Sequence, residues 1–494
     1  MDKTINIISS PRFQSLFWGG RDFLLKPVVA FLATVILSLP AGCQFGPERQ
    51  LTPALSTNGE VYVYMSPFSV DALGLSFSLN GVYAVMNDGL EFPLKLRMAN
   101  FGAVPDARQR LVAWGVLPPG RYSGFAFKVK GASLRNADGS KADLLAPKKR
   151  VNAAFPFMVD GKKAVVISMK LDYEDAVKGG FSFAPAFSLK VPVKPVDALL
   201  GYAVNYGSND ITIFDKAAMK VTGVIPTGAG PVCMVLNRSL ERGYVSLSRE
   251  DAIDVIDMVS GAIIGRIRLD PGDAPTGLAL TPDGKTLLSA NSGSNTVSVI
   301  DPLNYVEVSR IKVGTQPTAI FLDRPGTKAW VLNYFSNTIS IIDIASGDVA
   351  ATLTTDLSPI RGAFSRNNEK FYLINEGSPY LTTIDTATLG TVQKQLTGMG
   401  MRAIKVDTNT DLIYIAKRGD PDIEVYNPFT LMPQDYIKEG GGPDYMTIDG
   451  DENNLCVADP VENALFFINL SSRKMISGID VGIDPVWISM AGER

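Results

Sequence analysis

The chain has 494 residues, of which 46% are apolar and 20% charged, and its net charge is −3. This length predicts two or three domains, and the slightly acidic balance lacks the basic face or stripe of a nucleic-acid-binding protein. The sequence contains no histidine, which excludes Ser-His-Asp and Cys-His catalysis, HExxH zinc sites and histidine-ligated haem within this chain.

The N-terminus has the pattern of an export signal. Residues 27–39 form an apolar run after Arg21 and Lys26, too short to span a membrane comfortably but typical of a signal peptide. The following Leu39-Pro-Ala-Gly-Cys43 resembles the bacterial lipoprotein signal, although Pro40 stands where that family usually has leucine. The resemblance implies a signal peptide over 1–42, lipid on Cys43 as the membrane anchor, a tether over 43–58 and, with Gln44, an outer-membrane location on either face. A plain signal peptide cut nearby is the alternative.

The middle segment, 59–196, alternates apolar and polar residues between turn signals such as Asn80-Gly81 and Asp160-Gly161. This pattern predicts a β-sandwich of about seven strands. The segment Leu117-Pro-Pro-Gly-Arg-Tyr122 resembles a signature of the DUF4382-type lipoprotein domain, which brings no known chemistry. The acidic group Asp172, Glu174 and Asp175 could hold a cation, but a solvated strand end is the simpler interpretation.

Seven repeats fill 197–494. Each has an apolar strand closed by Asp or Asn, at spacings of 42 or 44 residues, which predicts four-stranded propeller blades. Stretches such as Val331-Leu-Asn-Tyr-Phe-Ser-Asn337 resemble the YVTN family of β-propeller repeats. The first repeat lacks an inner strand and residues 486–490 supply a spare one. We therefore predict an all-β protein: a β-sandwich followed by a seven-bladed β-propeller whose C-terminal strand closes the first blade.

The repeated carboxylates and amides are predicted to cap hairpin turns and not to catalyse. The same holds for the Asp-rich stretch 449–454, where calcium is a weaker alternative. Cys233 and Cys456 lie in apolar strands and are predicted to be buried free thiols, with a disulfide as the alternative. We predict no metal and no cofactor.

Ligand binding is predicted at one mouth of the propeller channel. Lys417 and Arg418 interrupt the asparagine pattern of the second strands, and inner strands begin with charged and aromatic residues. These positions form a sector suited to an anionic small molecule or peptide, with simple water-bathed channel lining as the alternative. Trp487 is further predicted to be largely buried between blades. The candidate residues are Arg361, Glu376, Arg402, Lys417, Arg418, Asp444, Tyr445 and Trp487.

The function predicted from these features is non-catalytic: a membrane-anchored binding or scaffold lipoprotein that presents a propeller face to an envelope protein or a small molecule. Two alternatives stay open. Seven-bladed propellers of similar repeat type include lactonases and ring-opening lyases, whose sites rely on histidine or on a metal held by clustered acids. Others carry haem or quinone, so an accessory role in a redox complex is the third possibility.

Overall fold

The computed structural model describes residues 57–102, 108–136, 138–438 and 441–493. The predicted signal peptide, Cys43 and most of the tether lie outside these residues. The described chain is almost entirely β-structure, with one four-residue helix, Tyr173–Ala176, and two 3-10 turns, Val70–Ala72 and Asp197–Leu199. No helix in the described part of the chain is long and apolar enough to cross a bilayer.

The N-terminal region is a β-sandwich-like domain, as predicted. Ten of its strands hydrogen-bond in the order β12-β9-β1-β5-β3-β2-β6-β7, with β4 on β2 and β8 on β6, and β10 pairs with β11. The strands are β1 Gly59–Met65, β2 Leu75–Met86, β3 Glu91–Leu96, β4 Asn100–Gly102, β5 Arg110–Leu117, β6 Gly120–Arg135, β7 Lys141–Leu144, β8 Val151–Val159, β9 Ala164–Leu171, β10 Val177–Lys178, β11 Ser182–Phe183 and β12 Phe187–Lys190.

The motif ending at Tyr122 has a structural role in this domain. The Tyr122 ring is buried and stacks on Phe157 at 5.1 Å, while its hydroxyl donates a hydrogen bond to the Pro118 carbonyl at 2.9 Å. A buried tyrosine needs such a partner for its hydroxyl, and this one fixes the turn before β6. In the acidic group, Asp172 caps the short helix by accepting from the Asp175 amide.

The rest of the chain forms seven four-stranded sheets, and Pro485–Met490 pairs with Leu200–Asn205 to complete the first. Closure by the C-terminal strand is therefore confirmed. Blades 1 to 4 contain β13 Leu200–Asn205, β14 Asp210–Asp215, β15 Lys220–Pro226; β16 Pro231–Asn237, β17 Arg242–Leu247, β18 Ala252–Asp257, β19 Ala262–Arg268; β20 Pro275–Leu280, β21 Leu287–Asn291, β22 Thr296–Asp301, β23 Val306–Lys312; β24 Pro317–Leu322, β25 Lys328–Asn333, β26 Thr338–Asp343 and β27 Asp348–Thr354. Blades 5 to 7 and the closing strand are β28 Pro359–Phe364, β29 Lys370–Asn375, β30 Tyr380–Asp385, β31 Thr391–Leu396; β32 Met401–Val406, β33 Ile413–Lys417, β34 Asp422–Tyr426, β35 Pro433–Lys438; β36 Tyr445–Asp449, β37 Asn454–Asp459, β38 Ala464–Asn469, β39 Lys474–Asp480; and β40 Pro485–Met490.

The repeated side chains hold turns and link blades. Asp301 accepts from the amides of Leu303 and Asn304, as the capping interpretation predicts. The asparagine of the Ser-Asn turn after the second strand adopts positive φ, 61° at Asn295, and its Oδ1 accepts the Gln316 amide of the next blade at 2.8 Å. Asparagine tolerates this left-handed conformation better than most residues, which explains its recurrence.

The sandwich-like domain packs on the outer edges of blades 1 and 7, where the ring closes. Tyr62 and Tyr64 of β1 face this seam, and the intervening Val63 faces the sandwich core. The carboxylate of Asp480, in the last outer strand, accepts from Arg108 Nε at 2.7 Å, Arg110 Nε at 3.2 Å and the Leu111 amide at 2.9 Å. Arg108 and Asp480 are both buried, so the contact is a satisfied buried ion pair.

A second buried charge fastens the end of the closing strand. The fully buried Lys216 Nζ donates to Asp449 Oδ1 at 2.7 Å, Asp451 Oδ2 at 2.8 Å and the Ala491 carbonyl at 2.6 Å. Lys216 belongs to blade 1, the two aspartates to blade 7, and Ala491 follows β40. One ammonium group therefore joins the first blade, the last blade and the chain end.

Replacing Lys216 with Ala should open this junction. Removal of one partner of a buried ion pair leaves uncompensated charge and typically costs about 3–5 kcal/mol. We expect the free energy of urea-induced unfolding to fall by that order, with the exposed Lys220→Ala as the matched control. Equal stability of the two variants would show that Lys216 does not hold the ring shut.

We expect the buried Asp210 to make this seam sensitive to pH. Its side chain is buried, accepts from Asn205 Nδ2 at 2.7 Å, and leaves Oδ2 without a partner. Burial raises the pKa of Asp210 to about 6, although hydrogen bonds from Ser208 and Asn205 oppose that shift.

A raised carboxyl pKa means that the folded state binds the proton more tightly than the unfolded chain, so stability is lost as pH rises from about 4 to about 6. We expect this group to cost up to about 3 kcal/mol over that window, since one pKa unit equals about 1.4 kcal/mol. Asp210→Asn should reduce the stability difference between pH 4.5 and pH 7.5, measured by urea unfolding. An unchanged difference would contradict the assignment.

Candidate functional site

The channel has two mouths. The second strand of each blade ends at one mouth, which we call the asparagine mouth after Asn291, Asn333 and Asn375. The third strand ends at the opposite mouth, which we call the aspartate mouth after Asp301 and Asp343. Inner strands run from the asparagine mouth to the aspartate mouth, as the pairing of Pro275 with Asn291 and of Leu280 with Leu287 shows. The eight predicted ligand residues divide among three places in this frame.

Lys417, at the end of a second strand, is engaged within the fold. Its Nζ donates to Glu424 Oε1 in the same blade and to the Thr397 carbonyl in the segment after blade 5, both at 2.6 Å. In blade 3 the corresponding Asn291 donates to Ser298, also seven residues later, at 2.7 Å. Lys417 and Glu424 therefore replace the usual amide–hydroxyl pair between second and third strands.

Blade 2 shows the same kind of compensation. Leu247 replaces the asparagine, and the buried Asp254 occupies the position seven residues later. Arg266 neutralises that carboxylate through Nε at 2.6 Å and Nη2 at 3.1 Å. A residue that departs from the asparagine pattern therefore indicates a functional site only when the residue seven positions later has not changed as well.

Four of the predicted residues lie at the asparagine mouth. Glu376 accepts from the Tyr334 hydroxyl at 2.6 Å and pairs with Arg402 at 3.2 Å, and Arg402 Nε lies 3.8 Å from Asp444. Burial raises the pKa of Asp444, while the nearby positive charges of Arg361 and Arg418 act in the opposite direction. This rim cluster is largely neutralised internally, with the Arg418 charge beside it.

The other three residues converge inside the channel. At the third position of the inner strands, four blades carry small residues: Cys233, Gly277, Ala319 and Ala403. The remaining three blades place large side chains at the equivalent level. The three are Arg361, Tyr445 and Trp487.

These three side chains form a compact group. The rings of Tyr445 and Trp487 lie 4.2 Å apart, and the Arg361 guanidinium carbon lies 5.9 Å and 6.0 Å from their centroids. Trp487 lines the channel cavity and is partly buried, and it packs against the apolar clusters of blades 1, 2 and 3, in line with the prediction that it packs between blades. Its Nε1 donates to the Met234 carbonyl at 2.9 Å, a polar contact that fixes the ring.

Arg361 is the unusual charge of this group. Its Nε is buried without a partner, and Nη1 contacts only the neighbouring Ile360 carbonyl, at 3.3 Å. Within the described chain no carboxylate lies within the 4.0 Å limit of an ion pair with it. A guanidinium with free donors beside two aromatic faces can bind an anion.

A cavity of about 360 Å³ extends from this group toward the aspartate mouth. Its polar wall includes Lys405 and Glu493, whose Nζ and Oε1 atoms lie 3.1 Å apart. The hydroxyl of the buried Thr447 donates to the same Glu493 oxygen at 2.5 Å from behind the wall. Sequence reasoning missed Lys405 and Glu493. The available signal was that Lys405 is the charged residue among the fifth inner-strand positions, which read Val235, Ala279, Phe321, Ala363, Lys405, Thr447 and Ser489.

Neither buried cysteine is disulfide-bonded, which agrees with the prediction of free thiols. Burial raises the pKa of Cys233 to about 12 and that of Cys456 well above its usual value, so both stay protonated. The described residues contain no group of three or more cysteine or acidic side chains placed to hold a metal ion.

Comparison with known proteins identifies the propeller and leaves its role open. A family model for YNCE-like β-propellers matches residues 280–386, and no curated protein matches the chain. A chain of Kuenenia stuttgartiensis hydrazine synthase is similar in fold, with TM-score 0.50 and 20% identity over 56% of this chain and 93% of its own. A functionally unknown protein from Desulfotomaculum acetoxidans DSM 771 gives TM-score 0.52 and 14% identity over 59% of this chain and 98% of its own. Dihydro-heme d1 dehydrogenase NirN gives TM-score 0.48 and 14% identity over 58% of this chain and 65% of its own.

Proposed function

We propose that the protein is a non-catalytic binding protein whose propeller channel holds a small anionic ligand. The observation that carries this proposal is the Arg361 guanidinium, which faces a cavity beside Tyr445 and Trp487 without an ion-pair partner in the described chain. A partly desolvated guanidinium gains free energy by pairing with an anion, and an uncompensated buried charge is otherwise costly.

The surrounding groups favour binding over covalent chemistry. Burial raises the pKa of Tyr445 well above its usual value, so the phenol is neutral at physiological pH. Cys233, next to the same level of the channel, is likewise held as a thiol. Neither group is an activated nucleophile, since activation requires a lowered pKa or an adjacent base.

The two alternative functions have weaker support. A lactonase- or lyase-like reaction has no specific side-chain arrangement in its favour among the described residues. The redox alternative is suggested by the hydrazine synthase likeness, but at 20% identity that likeness concerns the fold alone. A visible absorption spectrum of the purified protein would test for a bound chromophore directly.

Arg361→Gln should weaken anion binding at least about tenfold, because hydrogen bonds to charged groups contribute about 1.5–3 kcal/mol. We expect wild-type protein to bind at least one of acetate, benzoate, succinate and inorganic phosphate, measured by tryptophan fluorescence and calorimetry. Arg268→Gln, an exposed arginine at an outer strand end, is the matched control. Equal affinities of Arg361→Gln and wild type would place the anion elsewhere, and absence of binding to every probe would contradict the proposal.

We also propose that the protein is tethered to the bacterial outer membrane through lipid on Cys43, and that an envelope protein contacts it there. The support is the resemblance of residues 39–43 to the lipoprotein signal. Cys43→Ala should move the protein from the membrane pellet to the soluble fraction after cell fractionation, with the buried thiol variant Cys456→Ala as control. Retention of Cys43→Ala in the membrane would contradict the anchor.

A further inference from the structure

The channel cavity has an apolar wall that small inorganic anions would not use. Beyond the level of Arg361, its lining includes Leu280, Phe321, Leu322 and Phe364, all at the last two positions of inner strands. These side chains are only partly buried although they stand next to the blade cores. An apolar wall left accessible in a concave site gains free energy when a ligand covers it.

The charged side chains of the cavity lie away from that wall, and together they leave one net positive charge. Lys405 is paired with Glu493, which is also held by Thr447. Arg361 supplies the remaining positive charge. The cavity therefore offers one net cation at its inner end and apolar side chains toward the aspartate mouth.

The cavity reaches the aspartate mouth through the loop that follows the inner strand of blade 6, where Thr408 contributes to the lining. Trp487 and Tyr445 lie across the inner end, with Trp487 fixed by hydrogen bonds to Met234 and Ser489. A ligand would accordingly enter from the aspartate mouth, charged end first. The rim cluster around Glu376 and Arg402 belongs to the other mouth.

We infer that the ligand is an amphipathic carboxylate, with its carboxylate on Arg361 and its aliphatic or aromatic body against the apolar wall that includes Phe321 and Phe364. This inference rests on the proposed function and specifies its ligand class. The planar guanidinium matches a carboxylate through two parallel hydrogen bonds, and the cavity volume of about 360 Å³ suits a small organic acid.

The test uses a series of straight-chain carboxylates from butyrate to octanoate, each titrated into the full mature chain and measured by calorimetry. Octanamide is the uncharged control for octanoate. Affinity should rise about three- to fourfold per added methylene, the usual gain for burying that group. Octanamide should bind at least tenfold more weakly than octanoate.

Two variants test where the apolar body of the ligand binds. Ala363→Phe fills the cavity beside the apolar wall and should abolish the dependence on chain length, while Ala217→Phe in an exposed turn should keep it. If Ala363→Phe does not fold, as judged by circular dichroism, Leu280→Ser serves instead and should lower octanoate affinity more than butyrate affinity.

The outcomes separate this inference from the proposed function. Arg361-dependent binding of short anions with no gain along the series would overturn the amphipathic ligand and leave the anion site standing. Octanamide binding as tightly as octanoate would overturn the carboxylate requirement. If no member of either anion set binds, the proposed function itself fails.

Discussion

The seam between blades 1 and 7 is the constraint on which the rest of the structure depends. A seven-bladed ring closes only when the first and last blades are joined, and here the last six-residue strand completes blade 1. Lys216 joins both blades to the Ala491 carbonyl, and the sandwich-like domain places Arg108 on Asp480 at the same seam. Chain end, blade junction and second domain are thus stabilised together.

Closure also builds the channel cavity. The closing strand brings Trp487 to the channel level of Arg361 and Tyr445, and its continuation brings Glu493 to Lys405. Residues contributed by blades 5, 6 and 7 therefore meet side chains from the C-terminal segment that belongs to blade 1. A ring closed by an N-terminal strand would place different side chains at this point, so the cavity depends on the direction of closure.

The repeat spacing was enough to predict seven blades and the closing strand, because strand periodicity and turn chemistry are local signals. It was not enough to place side chains within the channel. Lys417 interrupts the asparagine pattern as a site residue would, but Glu424 neutralises it inside the blade. Trp487 packs against the apolar clusters of neighbouring blades, as predicted, but it also lines the channel cavity. Both outcomes depend on partners from other strands, which a single-strand pattern does not contain.

The seven blades contribute unequal side chains to the cavity, and the construction of a repeat ring explains why. Nearly every blade needs an asparagine link to its neighbour and an aspartate cap on its hairpin turn. The fold itself therefore explains these residues wherever they recur. The third inner-strand position differs from this pattern, because it varies in size between blades, from Gly277 and Ala319 to Arg361. Arg361 at this level leaves its buried Nε without a partner, which costs free energy. A bound anion, as proposed above, would supply the missing partner.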